Sequence, residues 1–158
     1  MSTSFEDLRV LKSAEEIADA VWKRVSNWED FPKDVVGKQI TRSTDSIGAN
    51  IAESFGRFNF GEKLQFLYYA RGSLFETKYW LNRAKVRELI PLENVQEYTT
   101  QLSNIARQLN AFAESLKTQR SDSKTKTVRE LAAEYNVDLP DDFPQTLFDQ
   151  NDFDWLAS

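Results

Sequence analysis

Residues 95–116 read VQEYTTQLSNIARQLNAFAESL. Val95, Tyr98, Leu102, Ile105, Leu109, Phe112 and Leu116 follow one another in strict steps of three and four. On a helix of 3.6 residues per turn that spacing gathers all seven on one stripe, and the remaining positions are mostly polar. An apolar seam sustained over three heptads belongs to a helix bundle or coiled coil. The stretch therefore predicts a long amphipathic helix beginning near Pro91, a residue tolerated in a first turn. It also calls for partner helices to cover the seam.

Those partners lie upstream. Ser4 to Trp28 predicts a first helix, with Leu11, Ala14, Ala18, Val21, Val25 and Trp28 on one face and Ser4 with Asp7 as a capping box. Asp30-Phe31-Pro32 is expected to end it, because proline holds the preceding residue extended. A second helix is expected over Lys33 to Phe58, with Val36, Ile40, Ile47, Ile51, Phe55 and Phe58 as its stripe. Beside that stripe lie small and polar residues, Ser43, Ser46, Ala49, Asn50, Ala52 and Glu53, which let a neighbouring backbone approach closely. Asn59, followed by Glu62, predicts the cap of a third helix over Phe60 to Leu89. Leu64, Leu67, Leu74 and Leu81 line its core face, while Phe66, Tyr68, Tyr69, Phe75, Tyr79 and Trp80 surround the other sides. A helix that is apolar on several faces is normally buried on several faces. A lone four-helix bundle covers one stripe per helix, so the surplus predicts contacts between subunits. Four long helices with short connections pack antiparallel. The expected fold is all-α: an antiparallel four-helix bundle over residues 1–118.

Beyond Lys117 the pattern changes. Thr118 to Thr127 lacks apolar residues and reads as a linker, carrying part of a basic stretch formed by Lys117, Arg120, Lys124, Lys126 and Arg129. Residues 119–158 are thus expected to form a linker and an acidic, aromatic-containing C-terminal extension. Thr127 with Glu130 predicts a short helix carrying Val128, Leu131, Ala132 and Tyr135. From Glu130 to the end there are eight acidic residues and no Lys or Arg, whereas residues 1–117 hold 16 basic and 16 acidic residues. The whole net charge of −5 therefore belongs to the extension. Solubility tails are poor in aromatics. Phe148, Phe153 and Trp155 therefore suggest docking, either into a partner's groove or back onto the bundle as a mask.

Composition narrows the chemistry. The chain has neither Cys nor His, which removes thiolate catalysis, disulfides and the usual general base and metal ligand. No phosphate-binding glycine loop or nucleophile elbow is present. Glu53 and Glu76 could pair for metal or acid–base work, but di-iron bundles need Glu-x-x-His. The competing reading makes Arg42, Asn50, Glu53 and Glu76 a structural polar network between helices. The expectation is no enzyme, no cofactor and no metal. Lys78, Arg83, Lys85 and Arg87, with Tyr79 and Trp80 among them, make the end of the third helix basic. They suit RNA phosphates and stacked bases, or equally the negative helix C-terminus. No apolar run reaches the ~20 residues of a membrane span, and no leader pattern opens the chain. A cytoplasmic location is expected.

Two stretches carry a resemblance. Residues 39–53 read QITRSTDSIGANIAE, and residues 66–76 read FLYYARGSLFE. With Phe31-Pro32 they fit the pattern QI-x-R-x-x-x-SI-x-x-NIAE followed by A-x-GS-x-x-E. This resembles the bacterial four-helix-bundle family of ribosomal RNA intervening-sequence proteins, which includes the accessory variability determinant of diversity-generating retroelements. The resemblance covers about residues 4–117. It implies a homo-oligomeric, pentamer-like assembly of antiparallel bundles. For the retroelement branch it implies partners in RNA and a reverse transcriptase. A protein-only adaptor that recruits its partner through the acidic tail is the alternative.

Overall fold

The computed structural model describes the backbone of residues 5–127 and 146–158, with side chains over 8–120 and 146–158. The expected Ser4–Asp7 capping box and the expected helix around Val128 to Tyr135 lie outside the described residues. All regular structure among the described residues is helical. Four long helices form the bundle: α1 (Phe5–Val25), α2 (Lys38–Gly56), α3 (Phe60–Val86) and α4 (Leu92–Thr127). A short α5 (Gln150–Ala157) packs on α4. The long helices touch in ring order, α1 on α2, α2 on α3, α3 on α4 and α4 on α1.

The seam of α4 is buried throughout, from Val95 to Leu116. It meets Val10, Ala14, Ile17 and Val21 of α1, Ile40, Ile47 and Ile51 of α2, and Leu64, Leu67, Leu74 and Leu81 of α3 in one core. The core face of α1 also takes in Val10 and Ile17, which the expected stripe lacked, while Leu11 and Trp28 are only half-buried against it. Phe58 does not continue the stripe of α2. It follows the helix end at Gly56 and is 91% exposed.

Pro32 begins a helix instead of ending one. α1 stops at Val25, and the chain turns through Ser26–Trp28. It re-enters helix at Asp30–Pro32 and passes through a π-helical turn, Lys33–Gly37, into α2. In a first turn the missing proline N–H leaves no bond unmade. Gly37 belongs to this junction. A Cβ there would stand 2.7 Å from Val25 Cγ1, so only glycine lets the π turn close against the end of α1.

The cap of α3 is as expected: Asn59 Oδ1 accepts from the Gly61 N–H at 2.7 Å. At its other end Glu88 adopts φ 57°, and the Leu89 N–H returns to Ala84 O at 2.8 Å. This closure usually employs glycine. The polar stretch after Lys117 is not a linker from its start. α4 continues to Thr127, because no Gly or Pro intervenes and extending a formed helix needs no new nucleus. The extension also holds a helix that the sequence reading passed over: Asp149 and Asp152 form a reciprocal capping box that opens α5.

Candidate functional site

α2 and α3 share the most extensive interface of the bundle, and small polar residues line it. Thr77 Oγ1 lies 3.1 Å from Ser43 Oγ, Asn50 Nδ2 reaches Ser73 Oγ at 3.4 Å, and Ser54 Oγ donates to Lys63 O at 2.9 Å. The expected closeness of this pair is thus present. The expected four-residue network is not. Arg42, Glu53 and Glu76 are exposed. Glu53 pairs with Arg57 one turn along its own helix, and Glu76 accepts from Trp80 Nε1 on its own helix. Only Asn50 bridges to α3. The reason is angular: three residues of helix turn Glu53 outward from Asn50, and a carboxylate at the rim of a seam stays in water.

The outward halves of α2 and α3 therefore form one surface, bearing Arg42, Ala49 and Glu53 beside Tyr69, Gly72, Glu76 and Tyr79. Gly72 stands mid-helix with no atom within 4 Å of where its Cβ would be. Glycine in a helix interior costs roughly 0.5–1 kcal/mol relative to alanine. Nothing among the described residues requires it. Further exposed apolar residues lie on α1 and its junction, Trp22 at 63% and Phe31 at 78%.

The basic end of α3 is less basic at its surface than its sequence suggests. Lys78 is 1% exposed, so it cannot meet a phosphate in this conformation. Its Nζ has a 3.5 Å contact to Thr99 Oγ1 and, among the described residues, no carboxylate. Burial, and secondarily Lys85, pushes its pKa below the ordinary lysine value. Position 78 continues the core line of Leu67, Leu74 and Leu81, which overrides its polarity. Arg83, Lys85 and Arg87 remain at least partly exposed, with the Arg83 guanidinium 5.8 Å from the Tyr79 ring centroid.

The C-terminal aromatics dock on this chain's own bundle. Segment 146–158 lies against α3 and α4, with Leu147, Phe148 and Leu156 buried, Phe153 half-buried and Trp155 on the rim. Asn110 of α4 holds the main chain of Phe148 on both sides: Nδ2 donates to its carbonyl and Oδ1 accepts its N–H, each at 2.9 Å. Arg71 of α3 donates from Nε to Leu147 O at 2.6 Å and from Nη2 to both Asp152 carboxylate oxygens at 3.3 Å. Its guanidinium also lies 4.6 Å from the Phe75 ring and 5.6 Å from the Phe148 ring. Phe75 stacks on Phe148 and on Trp155, with centroids 5.9 and 5.1 Å apart. Arg107 covers Phe153 at 5.3 Å. Sequence reasoning expected a docking tail but missed its receptor. Arg71 is the variable position of the A-x-GS motif, and Asn110 sits at the edge of the seam. Segment 146–158 is seated on Arg71 and the apolar ring of Phe75, about three turns before the basic end of α3.

An open polar cleft of about 510 Å³ runs between α1 and α4, lined by Arg9, Glu16, Gln101 and Gln108 among others. Among the described residues no group of three Asp or Glu side chains converges as a metal site, and no helix is long and apolar enough to cross a membrane.

The fold is thus a closed antiparallel four-helix bundle whose motif residues divide between a tight α2/α3 seam and an open outer face. The chain belongs to the 23S rRNA-intervening sequence protein family, whose model matches residues 6–111. A crystal structure of a protein of unknown function, from the S23 ribosomal protein family of Bacteroides thetaiotaomicron, is similar to it. The two are 26% identical with a TM-score of 0.63, over 70% of this chain and 99% of that one. No curated protein matches the chain.

Proposed function

We propose that this chain is a non-enzymatic, homo-oligomeric scaffold, most simply a ring of five copies, that organises an RNA partner in the cytoplasm. The observation that carries the assembly is the outer face of α2 and α3. Arg42, Glu53, Gly72 and Glu76 belong to the pattern that marks the family, yet none serves the core of this chain. Gly72 stands between Tyr69 and Tyr79 on that face with its Cβ position open. A mid-helix glycine flanked by exposed tyrosines suits the close approach of a second backbone. Exposed Trp22 and Phe31 supply further apolar area for a subunit contact.

RNA is the proposed partner for two reasons. The intervening-sequence branch that matches is named for 23S rRNA, and Arg83, Lys85 and Arg87 with Tyr79 offer cations beside an exposed ring. That branch does not call for a reverse transcriptase, so none is included in the reading. The tail's aromatics are spent on this chain's own bundle, which favours the bundle surface over the tail as the partner-facing part.

The test is light scattering with the Gly72→Leu variant. Wild type should exceed the 18.3 kDa of one chain at micromolar concentration. The variant should fall to that mass with its helicity unchanged. A wild-type monomer defeats the assembly reading. For RNA, affinity should fall steeply with salt through counterion release, and joint charge reversal of Arg83, Lys85 and Arg87 should abolish it. Absence of binding at low salt defeats that part alone.

A further inference from the structure

The groove between α3 and α4 recognises a peptide by features that do not depend on how the peptide is connected. Asn110 reads main chain, pairing with both the N–H and the C=O of Phe148. Arg71 reads a main-chain carbonyl and a carboxylate placed five residues later. Phe75 and Arg107 read rings. The ligand is a short amphipathic unit, Leu147-Phe148-Asp149, then Asp152-Phe153 and Trp155-Leu156, whose own capping box starts the helix that presents Leu156. The family match ends at residue 111, so this ligand lies outside the part of the chain that defines the bundle.

Chain length separates ligand from receptor. α4 runs 17 residues past Asn110 before its end at Thr127, about 26 Å at 1.5 Å per residue. The 18 residues from 128 to 145 allow a reach of roughly 60 Å at full extension. The tether is thus over twice as long as the return to its own groove requires. That surplus is what a tail needs to reach the groove of a second copy.

We propose that this groove is a peptide-recognition site and that segment 146–158 is an exchangeable ligand for it, so that one copy of the chain seats the tail of a second copy. The reading does not rest on assembly through the outer face of α2 and α3, because the groove is built from other residues, Arg71, Phe75, Arg107 and Asn110.

Full-length variants separate receptor from donor. Phe148→Asp empties the groove while leaving it intact. Asn110→Ala and, independently, Arg71→Gln disable the groove while leaving the tail intact. A fluorescein-labelled peptide of residues 146–158 is titrated by anisotropy against each. It should bind the Phe148→Asp chain saturably. Binding to wild type should be at least about tenfold weaker, because the resident tail competes at high effective concentration. Binding should be lost when Asn110→Ala or Arg71→Gln is added to Phe148→Asp. A labelled Asn110→Ala chain should then associate with the Phe148→Asp chain, and excess unlabelled peptide should reverse that association. No saturable binding to a Phe148→Asp chain of normal helicity overturns the recognition site, as does equal binding to wild type. Peptide binding without association of the two chains overturns the exchange. Association that the peptide leaves intact belongs to another surface and also overturns it.

Discussion

The two flanks of α3 carry similar side chains and meet different fates. Toward α4, Phe75 would be a bare ring, but the chain returns from residue 146 to cover it with Phe148 and Trp155. On the outer face shared with α2, Tyr69 and Tyr79 stay exposed around an unfilled Gly72. The surplus of aromatics on α3, which the sequence offers as one argument for assembly, thus divides into two. One part is answered within the chain by a tethered peptide. The other stays exposed and is the face proposed for self-association. Where ring, arginine and amide converge, the surface is a receptor. Where small and aromatic residues alternate without a partner, it is a candidate for assembly.

The sharpest way to break this contrast is to fill the bare flank. Gly72→Leu should weaken self-association at least about tenfold, which corresponds to 1.4 kcal/mol, while circular dichroism stays unchanged. Oligomers of unaltered mass would show that the bare flank is only solvated. On the covered flank, Asn110→Ala leaves both main-chain groups of Phe148 without their partner. A group left so costs about 1–3 kcal/mol. Hydrogen exchange should therefore quicken across residues 146–158, while the amides of the α4 core keep their protection. Uniform loss of protection would mean that the tail and bundle form one cooperative unit.

Between the flanks, buried Lys78 gives a pH signature. Its folded pKa lies below the ordinary value of 10.5, so the unfolded chain binds this proton more tightly. Its penalty is complete at pH values below the folded pKa. Stability should then rise with pH through that value, and the penalty vanishes above 10.5. Lys78→Met should stabilise the protein by about 1 kcal/mol at neutral pH and flatten this alkaline rise in urea titrations. A destabilised variant would mean that the ammonium finds partners that offset its burial.

The smallest effects separate glycines by their surroundings. Gly72→Ala should stabilise the isolated fold by about 0.5–1 kcal/mol, because its Cβ meets nothing. Gly37→Ala should destabilise it by about 1–3 kcal/mol, because its Cβ meets Val25 at 2.7 Å. Glu88→Gly should relieve the left-handed backbone at the end of α3 and stabilise by up to about 1 kcal/mol. Thermal melts of the three should differ in sign as stated.

The sequence alone determined the four long helices, the core seam of α4 and the leucine line of α3. Each depends on a period repeated many times, so one misplaced residue does not alter the reading. The cap at Asn59 and the crowding of small residues between α2 and α3 were legible for a related reason, since both follow from local spacing. What tertiary structure decided were single positions at stripe edges and contacts between distant segments. Lys78 went inward because its register on α3 carries it there, and Glu53 went outward because three residues of helix turn it from Asn50 at the seam to solvent. Pro32 opened a helix because no sequence rule tells an ending proline from a first-turn one without knowing which backbone bonds are already made. The tail's receptor was the least legible feature. Arg71 and Asn110 stand 39 residues apart, and neither reads as a ligand-binding residue until α3 and α4 pack side by side and aim both at the main chain of Leu147 and Phe148.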